Sequence, residues 1–137
     1  GNIWTAIAFW GLGQIMLLLA GWVYNLITPY DIHAEIEKDN VAAGISFAGV
    51  LIAMGIIVGH AAEGVFHSWA KNFLDFIITS FIGLAILPFI RILTDKILLP
   101  TVKLTDEIVG QKKPNIGAAY IEAFSYIAAS MIIYWSV

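Results

Sequence analysis

Glu122 is the side chain whose chemistry is hardest to explain away. It lies seven residues past Asn115 in an apolar run, which at 1.5 Å per helical residue places a carboxyl group about 10 Å inside a helix of membrane-spanning length. Such a group needs a partner or a proton. Gln14, near the middle of the first apolar run, and Ser80 in the third are the candidate partners, and no Lys or Arg falls mid-span to act as countercharge. Burial without a countercharge disfavours the charged form, so Glu122 is expected to be protonated near neutral pH, either as a structural hydrogen-bonding group or as an ion- or proton-handling one. On Glu122's helix face lie Ala118, Ser125 and Ala129, the side expected to meet protein, while Ile132 and Ile133 are expected to meet lipid.

A second polar group closes the second apolar run. His60, Glu63 and His67 would share one face of a helix that continued through them, a spacing able to offer two imidazoles and a carboxylate to a metal ion. Gly64 favours a helix end before His67, so ordinary interface residues, paired with Lys71 or Asp75, are the preferred reading, with no metal expected. No two mid-membrane His residues on different helices could clamp a haem. No segment places a nucleophile beside its base, a phosphate-cradling loop or paired carboxylates, so no enzyme is expected.

The elements that must position these groups follow from composition. Hydrophobic residues make up 60% of the 137 residues and charged ones 12%, and the mean hydropathy is +0.85. A typical globular domain carries about a quarter charged residues. Four apolar runs reach the roughly 20 residues that a helix needs to cross about 30 Å of hydrocarbon. They extend from Ile3 to about Thr28, Val41 to Gly64, Phe73 to about Leu93, and Asn115 to Val137. The expected fold is an all-α integral membrane protein with residues 1–137 in one membrane domain. The first run lacks a basic leader and a small-residue cleavage pattern, so it reads as a retained helix. The absence of Cys excludes disulfides, thiolate metal sites and iron–sulfur ligation, and no basic run points to nucleic acid.

Orientation follows from the basic residues. Lys38, Arg91, Lys96, Lys103, Lys112 and Lys113 lie towards one side and Lys71 alone towards the other, six against one. Cytoplasmic loops retain the basic excess, so loops 29–40 and 96–114 are expected inside and both termini outside. Trp4, Trp69, Tyr134 and Trp135 then fall near the outer interface, where amphipathic rings are favoured.

Each inner connection opens with the same pattern, Ile32-His33-Ala34-Glu35-Ile36 and Leu104-Thr105-Asp106-Glu107-Ile108. Each leads to an Asn and a small-residue run, Asn40-Val41-Ala42-Ala43-Gly44 and Asn115-Ile116-Gly117-Ala118-Ala119. The chain thus reads as two duplicated helical hairpins, residues 1–68 and 69–137. Ile32 with Ile36, and Leu104 with Ile108, stand one turn apart, so each short helix could lay an apolar edge on the cytoplasmic membrane interface with Glu35 or Glu107 in water. Thr105 could cap the second of them, and Thr28-Pro29 stops the first span.

The stretch from Tyr30 to Ile45, with Gly49 following, resembles the signature of the YjfL-like bacterial membrane proteins, domain-of-unknown-function family 350; the resemblance is sharpest over residues 30–59. It implies duplicated membrane hairpins in the bacterial inner membrane and implies no activity or cofactor. In the second half, Pro114-Asn115-Ile116-Gly117-Ala118-Ala119 departs from the Asn-x-Ala-x-Gly form of the first.

Two further features concern packing. Gly44, Ala48, Gly55, Gly59 and Ala62 fall in a stripe about 60° wide along the second helix, leaving one face without side-chain bulk. Gly55-x-x-x-Gly59 offers close backbone packing, within the bundle or against another subunit. In the third helix Pro88 predicts a kink near Leu84, and Arg91 is close enough to the cytoplasmic edge to snorkel towards Asp95. Together these features favour a non-enzymatic membrane subunit that packs against itself or within a larger complex, contacting lipids and other membrane chains. The alternative is a small channel or carrier whose polar path includes Glu122 and Gln14. Bound lipids are expected, and no cofactor.

Overall fold

A computed structural model describes residues 3–63, 65–101, 103–110 and 113–136. Gly64, Lys112 and Val137, used above for a helix end, for the charge count and as a span limit, lie outside the described residues. The long helices are α1 (Ile3–Ile27), α3 (Val41–Ala62), α4 (Trp69–Leu93) and α6 (Ile116–Ser136). Short helices α2 (Ile32–Glu37) and α5 (Leu104–Ile108) stand before α3 and α6, and a π-helical turn, Thr94–Leu98, prolongs α4. Four helices are therefore long and apolar enough to cross a membrane, as the run lengths predict. Helix α4 continues through Pro88 without leaving helical geometry.

The boundaries follow from local chemistry. Pro29 cannot extend α1, and the Thr28 hydroxyl turns back to donate to the Tyr24 carbonyl at 2.9 Å. Asp31 caps α2, Asn40 caps α3, Ser68 caps α4 and Asn115 caps α6, each side chain accepting the orphan N–H groups of the first turn. Thr105 does not cap α5: Lys103 occupies the cap position with no side-chain bond, and the Thr105 hydroxyl is engaged elsewhere.

Helix α3 is the centre of the bundle. Half of its most apolar window is buried, against 22% for α1, and it packs most extensively along α6 while also touching α1 and α4. The closest approach is at Gly49, where an added β-carbon would lie 2.5 Å from the Ala123 Cβ and 2.9 Å from its carbonyl oxygen. Only glycine lets the two backbones come this near. The main core gathers Met16, Ala20 and Tyr24 of α1, Val50 and Met54 of α3, Phe76 and Leu87 of α4 and Tyr126 of α6. A second cluster at the loop end packs Leu104 and Ile108 of α5 against Ala42, Ala43, Ala118 and Ala119.

Of the two contacts open to the small-residue stripe, packing within the bundle is not the one made: among the described residues, β-carbons built on Gly44, Gly55 and Gly59 meet nothing within 4 Å, and Ala48 and Ala62 are exposed. The buried face of α3 is instead the one bearing Ala42, Ser46, Gly49, Ala53 and Ile57. Nor do the short helices lay both apolar residues on lipid. Ile32, Leu104 and Ile108 are buried in protein, and only Ile36 is exposed. A five-residue helix cannot hold its own shape, and docking two aliphatic side chains under α3 and α6 supplies what its backbone lacks.

Candidate functional site

Three spans converge on Glu122. Helix α6 carries it two turns in from Ile116, with Tyr126 one turn further on the same face. Helix α1 brings Tyr24 from its last turn, and α4 brings Arg91 from its own. The Glu122 Oε2 atom accepts from the Tyr24 hydroxyl at 2.7 Å, the Tyr126 hydroxyl at 2.9 Å and Arg91 Nη1 at 2.8 Å. Arg91 Nη1 also reaches the hydroxyls of Tyr24 at 3.2 Å and Tyr30 at 3.5 Å, while Nη2 donates to Thr105 Oγ1 at 3.1 Å. The guanidinium carbon stands 6.0 Å from the Tyr24 ring centre and 5.7 Å from that of Tyr30, within cation–π range. Burial pushes the Tyr30 phenol above its ordinary range, so it remains a neutral partner.

This geometry corrects the expectation for both charged residues. Glu122 bonds to neither Gln14 nor Ser80, and the premise of a missing countercharge fails because Arg91 supplies it. Arg91 does not snorkel to Asp95. It is buried with Glu122, and Asp95 Oδ1 instead accepts the Leu104 N–H at 2.7 Å, tying α5 to the end of α4. Among the described residues, the Ser80 hydroxyl is buried with no hydrogen-bond partner, as are the Ser46 hydroxyl and Glu122 Oε1. The phenol at Glu122 plus four was visible in the sequence as an i,i+4 neighbour, whereas Tyr24, Tyr30 and Thr105 come from elements whose meeting no local spacing announces.

Chemically, the cluster is a charge pair whose strong donors all come from within the chain. Glu122 has no exposed surface, so exchange of an ion with either side of a membrane would require the helices to part. The pair holds α1, α4, α6 and, through Thr105, α5 in one arrangement.

The two loop ends are built alike. Asn40 accepts the Ala43 N–H, donates its amide to the Glu35 carboxylate at 3.0 Å, and its backbone N–H donates to the Glu35 carbonyl at 3.0 Å. Asn115 likewise accepts the Ala118 N–H, donates to the Glu107 carboxylate at 2.9 Å, and bonds through its backbone N–H to the Glu107 carbonyl at 2.7 Å. Asn40 also donates to the Ile108 carbonyl at 2.9 Å, joining the two loop ends. Glu35 is thus clasped rather than pointed at water. The Asn40 amide, more than the neighbouring Lys38 at 3.1 Å, holds its carboxyl below the usual carboxylate range.

At the opposite end His60 and Glu63 pair at 2.7 Å, and the Tyr134 ring lies 4.7 Å from the imidazole. Helix α3 ends at Ala62, His67 is engaged through its backbone with Asn72, and among the described residues no three His, Asp or Glu are grouped to hold a metal. Lys71 pairs with Asp75 at 3.2 Å rather than with either histidine. The remaining polar candidate, Gln14, is exposed and lines a groove between α1 and α3 together with Gly55 and Gly59.

Fold and site together define a multi-pass helical membrane protein in which a buried Glu122 carboxylate is paired with Arg91 of the same chain. The chain belongs to the family described as Domain of Unknown Function (DUF350), whose model matches residues 1–137, the whole chain. No curated protein and no solved structure gives a significant match.

Proposed function

We propose that this protein is a non-enzymatic subunit of the bacterial inner membrane that works by assembling with other membrane helices. One observation carries the reading: among the described residues, β-carbons built on Gly55 and Gly59 meet nothing, beside a mid-helix Gln14 whose side chain makes no hydrogen bond. Helices in lipid associate through small residues and interhelical polar contacts, and both are presented here on one surface. The runner-up, a channel or carrier path through Glu122 and Gln14, fits less well. Glu122 is sealed inside the bundle while Gln14 lies in the outer α1/α3 groove.

The matching clasps at Asn40 and Asn115 support an origin by hairpin duplication, with α2 and α5 at the cytoplasmic interface. Drawing Arg91 into the protein changes the charge count to Lys38, Lys96, Lys103, Lys112 and Lys113 against Lys71, which still favours loops inside and termini outside. Native mass spectrometry from a mild detergent tests the assembly reading. A complex that holds at least one further polypeptide beside the 15.0 kDa chain is expected. A lone chain that conducts ions in liposomes, with flux abolished in Glu122→Ala, would establish the carrier reading instead.

A further inference from the structure

On the outward face of α1, Trp10, Gln14, Leu18 and Trp22 recur every fourth residue, and all four are exposed. Residues at this spacing form a ridge along a helix. Beside the ridge, between α1 and α3, run two cavities of about 580 and 530 Å³ that share Gln14 and Leu17 in their walls. The first is floored by Gly55 and Gly59, and the second continues past Gly21 towards His33. Ridge and groove therefore lie side by side on one surface. That pairing is what a two-fold dimer requires, because each copy's ridge can enter the other's groove.

Gln14 decides between possible occupants. It lies 11 residues into a 25-residue helix, so its amide sits about 17 Å along a span of about 38 Å, near the middle of the hydrocarbon. An acyl chain would fill the groove but offers nothing to an amide. In copies sharing one orientation, the two-fold axis runs along the membrane normal, and identical residues meet at the same depth. A primary amide is both donor and acceptor, so Gln14 is its own complement.

We propose that the α1/α3 groove receives the α1 ridge of a second copy of this chain, with the two Gln14 amides hydrogen-bonded to each other at the centre. The proposal rests on the membrane-subunit reading and names the partner. Trp10 and Trp22 then fill the groove on either side of the polar contact, and Gly55 and Gly59 permit the close approach.

The chain has no Cys, so a single introduced thiol reports the contact without background. With Leu18→Cys in membranes, a short bismaleimide should link two copies, while Phe81→Cys on the outward face of α4 should not. Adding Gln14→Leu should weaken the association about threefold to thirtyfold, the range for an interhelical hydrogen bond in lipid. Gly59→Leu should weaken it as well; its β-carbon meets nothing among the described residues, and an unchanged melting temperature of the dissociated monomer checks that the rest of the side chain leaves the fold intact. Equal linking at Leu18 and Phe81, or linking insensitive to both Gln14→Leu and Gly59→Leu, overturns the proposal. A native mass containing one copy and a different polypeptide also overturns it, yet leaves the subunit reading standing. A monomer carrying only phospholipid overturns both.

Discussion

Arg91 and Glu122 are 31 residues apart in the chain and 2.8 Å apart in the fold, in a side-chain pair with almost no exposed surface. Removing one member of such a pair leaves an uncompensated buried charge, which costs about 3–5 kcal/mol, whereas replacing both with apolar residues of similar volume is often close to neutral. Arg91→Met and Glu122→Met should therefore each destabilise strongly in detergent-solubilised unfolding assays, and the double variant should be more stable than either. Additive losses in the double variant would mean that the two groups act independently.

Gly49 and Gly55 have the same residue type on the same helix and opposite surroundings. A methyl group at position 49 would press on the Ala123 backbone and side chain, which cannot yield without separating α3 from α6. Gly49→Ala should cost about 1–3 kcal/mol, the usual range for overpacking. Gly55→Ala meets open space within a single chain and should leave the melting temperature of the dissociated monomer unchanged or slightly raised.

This contrast also marks what the sequence could reveal. Run length alone recovered all four spans, because a bilayer imposes a minimum apolar length that few other constraints imitate. The stripe on α3 was equally visible, but its direction was not: periodicity groups residues on a face without saying which neighbour that face meets. Arg91 was misplaced for a related reason. At the end of an apolar run a long basic side chain can reach water or turn inward, and the choice depends on Glu122, Tyr24 and Tyr30 arriving from other elements. The Asn clasps were foreshadowed by the repeated x-x-Glu-Ile pattern, since the Asn that follows each Glu is also a favoured helix cap.

Asn40 and Asn115 each cap a spanning helix, and losing either cap should cost about 1 kcal/mol. Asn40 in addition satisfies the Ile108 carbonyl in a buried bond. Asn40→Ala should exceed Asn115→Ala by about another 1–2 kcal/mol, because it strands that buried acceptor. Equal losses in the two variants, measured by thermal unfolding, would remove the Asn40–Ile108 bond from the list of significant contacts.

Glu35 gives this contact a pH signature. Its carboxyl is held below the ordinary value of 4.5, first by the Asn40 amide and then by Lys38. Between the folded and the ordinary values the unfolded chain binds the proton and the folded one does not, so stability falls as pH falls across that window. The contribution is complete above about 4.5, begins to fade there, and is gone below the depressed folded value. A melting-temperature profile from pH 7 to pH 3 should show this loss in the wild type and a smaller one in Asn40→Ala.

The proposed sidedness places Ser68, in the connection before α4, on the periplasmic face of the inner membrane and Lys103, before α5, on the cytoplasmic face. Five basic residues against one is a strong bias for loops this short. Because the chain has no Cys, Ser68→Cys and Lys103→Cys can each be labelled separately with a membrane-impermeant maleimide. Ser68→Cys should react in cells whose outer envelope alone is permeable, and Lys103→Cys only after the inner membrane is opened. Both residues are exposed in the fold, so access is decided by the bilayer and not by protein packing. The reverse pattern of labelling would invert the topology while leaving the bundle and its buried pair unchanged.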